Sequence, residues 1–266
     1  MERTLWKHIQ SVKNQSPLIH NITNYVVMNN TANALLAVGA SPVMAHAKAE
    51  IKDMVAIAGA LLVNIGTLDE YWSEAMLIAA ETAHRLHISW VLDPVGAGAT
   101  PYRNEILPQL LRYHPTVIRG NASEILALSN SNASTTKGVD STTSSNDAVQ
   151  AARELVEQYG SVVCISGETD VILDDRKRTI SIKNGHPMMT KVTGLGCSAS
   201  ALIAAFVAIV EDRTEATTAA MALLGIAGEL SEKQSSGPGS LQMNIIDKLY
   251  SITEPEFNKY LKVSVG

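Results

Sequence analysis

The chain has 266 residues, 46% hydrophobic and 18% charged, so a packed core is expected and global disorder is excluded. Aromatic residues are only 5%, which leaves Ala, Val, Ile, Leu and Met to build that core. A net charge of −5 argues against a nucleic-acid-binding surface, though backbone amides can still hold an anionic ligand.

In chain order, the start Met-Glu-Arg-Thr-Leu-Trp lacks the basic-then-apolar layout of a secretory signal. Short apolar runs at 17–20, 42–45, 61–65, 90–93, 116–119 and 162–166 read as strands. Most are continuous rather than alternating, as in strands covered on both faces. Helical patterns lie between them, at 24–38, at 71–86 and at 146–159. The second is the clearest, because Trp72, Met76, Ala79, Ala80 and Ala83 recur at helical spacing. The Ser/Thr/Asn-rich stretch 129–146 reads as a flexible loop. Segments 171–174 and 179–183, separated by Asp175-Arg176-Lys177-Arg178, read as an antiparallel hairpin. From Ser198 onward the chain reads as nearly all helix, punctuated at Gly237-Pro238-Gly239-Ser240. The longest apolar run, 199–210, is short of the roughly 18 to 20 residues that span a bilayer. Two cysteines, Cys164 and Cys197, are too few for a disulfide framework. The expectation is a soluble cytoplasmic protein with reduced thiols. Strand–helix alternation predicts a mostly parallel sheet with helices on both faces, and no repeat or boundary divides the single domain expected over 1–266.

Ligands of open α/β sheets bind at the carboxyl ends of strands, so polar residues there are the site candidates. His20-Asn21-Ile22-Thr23-Asn24, with Tyr25, suits a polar small molecule or a helix cap. In Asp93-Pro94-Val95-Gly96, the acid could orient a metal or phosphate, or simply shape a turn. Arg119-Gly120-Asn121-Ala122-Ser123-Glu124 offers a cation, an amide and an acid, or equally a capping box. Ser166-Gly167-Glu168-Thr169-Asp170 reads as a nucleotide contact or as the turn into the hairpin. Thr193-Gly194-Leu195-Gly196-Cys197 precedes an apolar helix and presents amides as an anion site, or makes a tight turn. Ala199 stands at the third glycine position of a dinucleotide fingerprint, and no Gly-Lys-Ser/Thr follows, so neither common nucleotide motif is met. At that helix start the dipole is expected to lower the Cys197 pKa, unless the thiol is only buried packing. His84 and His87 read as surface residues.

The order of these segments is specific where each alone is not. Over roughly 17–240 it resembles the hydroxyethylthiazole kinase family, and His-Asn-Ile-Thr-Asn and Ser41-Pro42-Val43-Met44 fit the same family. The resemblance implies a ribokinase-like three-layer α/β/α fold. It implies transfer of phosphate from ATP, with Mg²⁺, to the hydroxyl of 4-methyl-5-(2-hydroxyethyl)thiazole in thiamine synthesis. Carried over by position, Cys197 is the catalytic candidate, and Met44, Gly194 and Asn24 are substrate-binding candidates. Arg119, Ser166 and Asn121 are the ATP-binding set, and Asp93 and Glu124 the metal set. Leu195 stands where relatives commonly carry Thr. The resemblance also implies a homotrimer with active sites between subunits. The competing readings are an ADP/ATP-dependent hydrate dehydratase on the same fold, which would carry Asp in place of Cys197, and a non-catalytic nucleotide sensor.

Overall fold

Continuous apolar strands demand cover on both faces. The computed structural model, which describes residues 2–130 and 145–266, meets that demand with two helical layers around one sheet. Strands β1 (Leu18–Ile22), β2 (Ser41–Val43), β3 (Ala60–Asn64), β4 (Ser89–Asp93), β5 (Val117–Asn121) and β6 (Val162–Ser166) run parallel in the order β2-β1-β3-β4-β5-β6. Strands β7 (Asp170–Leu173), β8 (Thr179–Ile182) and β9 (Val263–Val265) extend the sheet antiparallel beyond β6.

Helices α1 (Glu2–Gln15), α2 (Met28–Ala37), α8 (Leu195–Val207) and α9 (Arg213–Glu232) cover one face. Helices α3 (Ile51–Ile57), α4 (Glu70–Leu86), α5 (Pro101–Leu111), α6 (Ala122–Asn130) and α7 (Ser145–Tyr159) cover the other. Helices α10 (Pro238–Ser251) and α11 (Glu254–Tyr260) pack on α9. The apolar run 199–210 forms most of α8 and the turn after it, and Ala201 to Phe206 are fully inaccessible. No described helix is long and apolar enough to cross a membrane.

All six apolar runs became strands, shifted by two residues at most, and the hairpin formed as expected. Three differences bear on the site. The helical pattern at 24–38 becomes α2 only from Met28, so Asn24 lies on a turn that leaves β1. The stretch 129–146 lies mainly outside the described residues, and its ends belong to α6 and α7. The mainly helical C-terminal region ends in a strand, β9.

Two features fix where the site falls. The order β2-β1-β3 reverses the direction of chain winding at β1, so the carboxyl ends of β1 and β3 flank a topological switch point. The register pairs Asn64 with Asp93 and Asn121 with Ser166, which lines up the polar strand ends side by side. The hairpin is held to α9 by Arg178. Its guanidinium forks onto Asp212, the α9 N-cap, at 2.9 and 3.0 Å, and also reaches Asp174 at 2.5 Å.

Candidate active site

Two groups of side chains form at the strand ends. The first sits at the switch point. Asn64 Nδ2 donates to Asp93 Oδ2 at 2.8 Å, and Ser200 Oγ from α8 donates to the same oxygen at 2.8 Å. Asn64 Oδ1 accepts from Gly66 N at 3.0 Å and from Asn24 Nδ2 at 2.8 Å. Asn24 Nδ2 also points at Cys197 Sγ, 3.5 Å away, and Asn24 Oδ1 accepts from Val26 N at 3.2 Å. Asn24, Asn64 and Asp93 are buried, and Cys197 is half-buried.

Burial pushes the Asp93 carboxyl up to about 6, against the opposing pull of Arg119. Its Oδ1 is buried with no hydrogen-bond partner among the described residues. The Cys197 thiol is likewise raised, first by burial and then by the Asp93 charge, while hydrogen bonds from Asn64 and Asn24 oppose the rise. This corrects the sequence expectation of a lowered thiol pKa. The helix terminus is in place, but burial and a neighbouring carboxylate outweigh it. Cys164 lies fully buried in β6 and is core.

The turn before Cys197 is fixed by glycine. Gly194 is the N-cap of α8 at φ +84°, and a Cβ there would lie 2.7 Å from Val27 Cγ1. That left-handed conformation strains any L side chain. Helix α8 has no side-chain cap, and the first amides of a helix have no intrahelical acceptor.

The second group faces that helix end. A Cβ on Gly196 would lie 2.7 Å from Arg119 Nη1, so the guanidinium rests directly on the α8 terminus. Arg119 Nη2 donates to Ser166 Oγ at 2.7 Å. A cation against a helix N-terminus is an electropositive pair suited to an anion. This second group borders a cleft of about 520 Å³ lined by Arg119, Ser166, Asp170, His186, Met189 and Leu224, among others. The 166–170 segment is therefore both cleft wall and turn into the hairpin.

Asn121 and Glu124 realise the capping reading. Asn121 Oδ1 accepts from Glu124 N at 2.9 Å, and Glu124 Oε2 accepts from Asn121 N at 2.8 Å. Glu124 Oε1 also accepts from Gly96 N at 2.9 Å, so the carboxylate ties the turn after β4 to the end of β5. Glu124→Gln is expected to lose one of these bonds, because an amide NH₂ would face an N–H. The cost is about 1 to 3 kcal/mol, read as a lower Tm. If Glu124 also serves the metal, turnover and its Mg²⁺ dependence change as well. A lower Tm with normal kinetics leaves capping as its whole role.

Met44 is half-buried just past β2, at the carboxyl end of the strand that flanks β1. Its neighbour Ala45 is held by buried His20, whose Nε2 donates to the Ala45 carbonyl at 2.7 Å. Burial lowers the His20 pKa, consistent with a neutral ring. His84 and His87 are exposed at the end of α4, as read. Sequence reasoning missed Asn64, Ser200 and Arg103. Arg103 donates to the Val95 carbonyl at 2.7 Å, to the Gly66 carbonyl at 2.9 Å and also to the Ile65 carbonyl, joining the turns after β3 and β4. The available signal for Asn64 was one polar residue inside an apolar run.

Comparison with known proteins shows the family. The family model "Hydroxyethylthiazole kinase family" matches residues 9–255. A hydroxyethylthiazole kinase from Syntrophus aciditrophicus is 56% identical over 98% of this chain and 97% of its own. One from Leptothrix cholodnii is 52% identical over 98% and 95%. The solved hydroxyethylthiazole kinase of Pyrococcus horikoshii superposes with a TM-score of 0.92 at 39% identity, covering 99% of each chain. A pyridoxal kinase from Staphylococcus aureus, solved with AMP-PCP and pyridoxal, superposes at 0.66 and 17% identity over 94% of this chain and 98% of its own, a likeness of fold alone. Fold and relatives thus define a phosphotransferase of ribokinase-like architecture, with a mostly parallel sheet between helical layers. Within that class, the chain belongs to the hydroxyethylthiazole kinase family.

Proposed function

We propose that the protein transfers the γ-phosphoryl group of ATP to the primary hydroxyl of 4-methyl-5-(2-hydroxyethyl)thiazole, a step of thiamine synthesis. The observation that carries this reading is the meeting of Arg119 with the uncapped α8 terminus, beside the Cys197–Asn24 contact. One side suits a triphosphate and the other an alcohol.

Phosphoryl transfer needs positioning and neutralisation of spreading charge more than covalent help. Arg119 and the Gly194–Cys197 amides hold phosphate oxygens, with Ser166 orienting the guanidinium. Met44, Asn24 and Gly194 line the acceptor pocket, and Asn121 borders the nucleotide. Cys197 takes the hydroxyl proton as a weak base.

Among the described residues no three His, Cys, Asp or Glu side chains converge as a metal cage. Mg²⁺ carried by nucleotide phosphates needs only one or two carboxylates from the protein, and Asp93 lies within the electrostatic reach of Glu124. Asp93, with its unpartnered Oδ1, and Glu124 would hold it, and its charge neutralises the triphosphate.

The test is ATP turnover with the thiazole alcohol against a pyridoxal-type substrate and a pyrimidine alcohol. Preference for either of the latter overturns the reading. The hydrate dehydratase alternative is disfavoured by Cys197, and the sensor alternative by the retained acids Asp93 and Glu124.

We further propose that the whole chain, 1–266, works as one catalytic domain in the cytoplasm, and as a homotrimer with active sites between subunits. Exposed Tyr25, Val26 and Tyr71 support such a contact, since Tyr25 and Val26 directly follow Asn24. Sedimentation is expected to give the trimer, and a stable active monomer would remove both the assembly and the shared site.

A further inference from the structure

The buried amides between Asp93 and Cys197 have only one consistent polarity. A carboxylate oxygen only accepts, and a backbone N–H only donates. Asn64 lies between Asp93 Oδ2 at 2.8 Å and Gly66 N at 3.0 Å, so its Nδ2 must face the acid and its Oδ1 the amide. That Oδ1 then admits only a donor from Asn24, at 2.8 Å. The Val26 amide, 3.2 Å from Asn24 Oδ1, fixes the same orientation from the other end. One hydrogen of Asn24 Nδ2 therefore goes to Asn64, and the other is left for Cys197 Sγ at 3.5 Å. Protonation of Asp93 on its unpartnered Oδ1 would leave Oδ2 an acceptor, so the polarity does not depend on the charge of the acid.

We propose that Asn64 is a positioning residue: it passes the acceptor character of Asp93 through Asn24 so that an N–H, and not a carbonyl, faces the Cys197 sulfur. A donor at sulfur favours the thiolate over the thiol, whereas a flipped amide would repel it. Asn64 acts through Asn24, whose orientation it fixes, and adds its own hydrogen bond at the Cys197 thiol, which favours the thiolate in the same sense. The inference rests on the reading of Cys197 as proton acceptor.

The readout is alkylation of Cys197 by iodoacetamide across pH in the substrate-free protein, followed by mass spectrometry of the Cys197 peptide. Asn64→Leu is expected to raise the midpoint by about one pH unit, which is about tenfold slower alkylation at a fixed pH below it. It should lower kcat by a similar factor and leave the KM for ATP unchanged. Asn24→Asp keeps the shape but presents only acceptors, and must raise the midpoint too. An unchanged midpoint in either folded variant overturns the proposal. Should neither variant fold, the unsubstituted protein decides. The Asn24 side-chain amide resonances must shift with the Cys197 titration, and their invariance overturns the proposal equally. A moved midpoint with unchanged kcat would support the amide chain and instead remove Cys197 as base, so the two readings fail separately.

Discussion

Arg119→Met is expected to lower kcat by about a hundredfold or more, the scale set by removing one fixed donor from a developing anion. Arg119 is the cation that rests on the α8 terminus, and Ser166 holds its fork in plane. Its Nε is buried with no partner among the described residues, so the guanidinium carries undischarged hydrogen-bonding capacity at the cleft. Methionine keeps much of the stem volume and removes every donor. Asp93 would respond as well. The pull of Arg119 is what restrains the rise of that carboxyl, so its removal should shift the Asp93 midpoint upward from about 6. The acid limb of the pH–rate profile should move in the same direction. Arg119→Lys should recover charge without the planar fork, and so only part of the rate. Steady-state kinetics across pH, with Tm as the folding control, check this. A Met variant with normal kcat would remove Arg119 from phosphate binding.

Cys197→Ala is expected to be impaired but not inactive. Removing a general base costs about 10² to 10⁴ in rate, and less where bond formation to the nucleophile is late. The loss should fall at the low end, because burial and Asp93 keep most of the sulfur as thiol at neutral pH. The sign follows directly: only the thiolate accepts a proton, so the wild-type rate should climb with pH toward the raised thiol midpoint. Cys197→Ala should flatten that climb and largely keep thiazole binding. Cys197→Asp should remain active and carry its rise at lower pH, because a carboxylate ionises first. Direct attack of the alcohol on ATP leaves no adduct on the protein. A phosphorylated Cys197 trapped during turnover would mean covalent catalysis, and an Ala variant with unchanged kcat across pH would mean packing only.

The strand ends were legible because each carries a polar residue immediately after a continuous apolar run. Asp93, Asn121 and Ser166 were found that way. Asn64 is not legible that way, because Ile65 follows it and the run 61–65 reads as continuous across it. Ser200 carries no local signal, since nothing nearby in sequence reveals that its hydroxyl crosses the core to Asp93. Asn24 is legible as a site candidate, but the helical pattern that begins at it starts only at Met28. Strand β9 has three residues, too short for any periodicity, and depends on pairing with β8. Helix α1 was readable in principle, since Leu5, Ile9 and Val12 recur at helical spacing and are buried. The thiol pKa was misjudged because desolvation depends on neighbours distant in the chain.

The close approach of Gly196 to Arg119 also constrains how the two positions can change over generations. While arginine occupies 119, even a methyl at 196 must displace the guanidinium from the helix end. If 119 were smaller, the same methyl would find room. The two sites are therefore epistatic, the effect of a substitution at one being set by the occupant of the other. A single-step path to a bulkier 196 passes through a weakened anion site. Replacement that starts at 119 removes the donor fork in its first step, so both routes descend before any can recover.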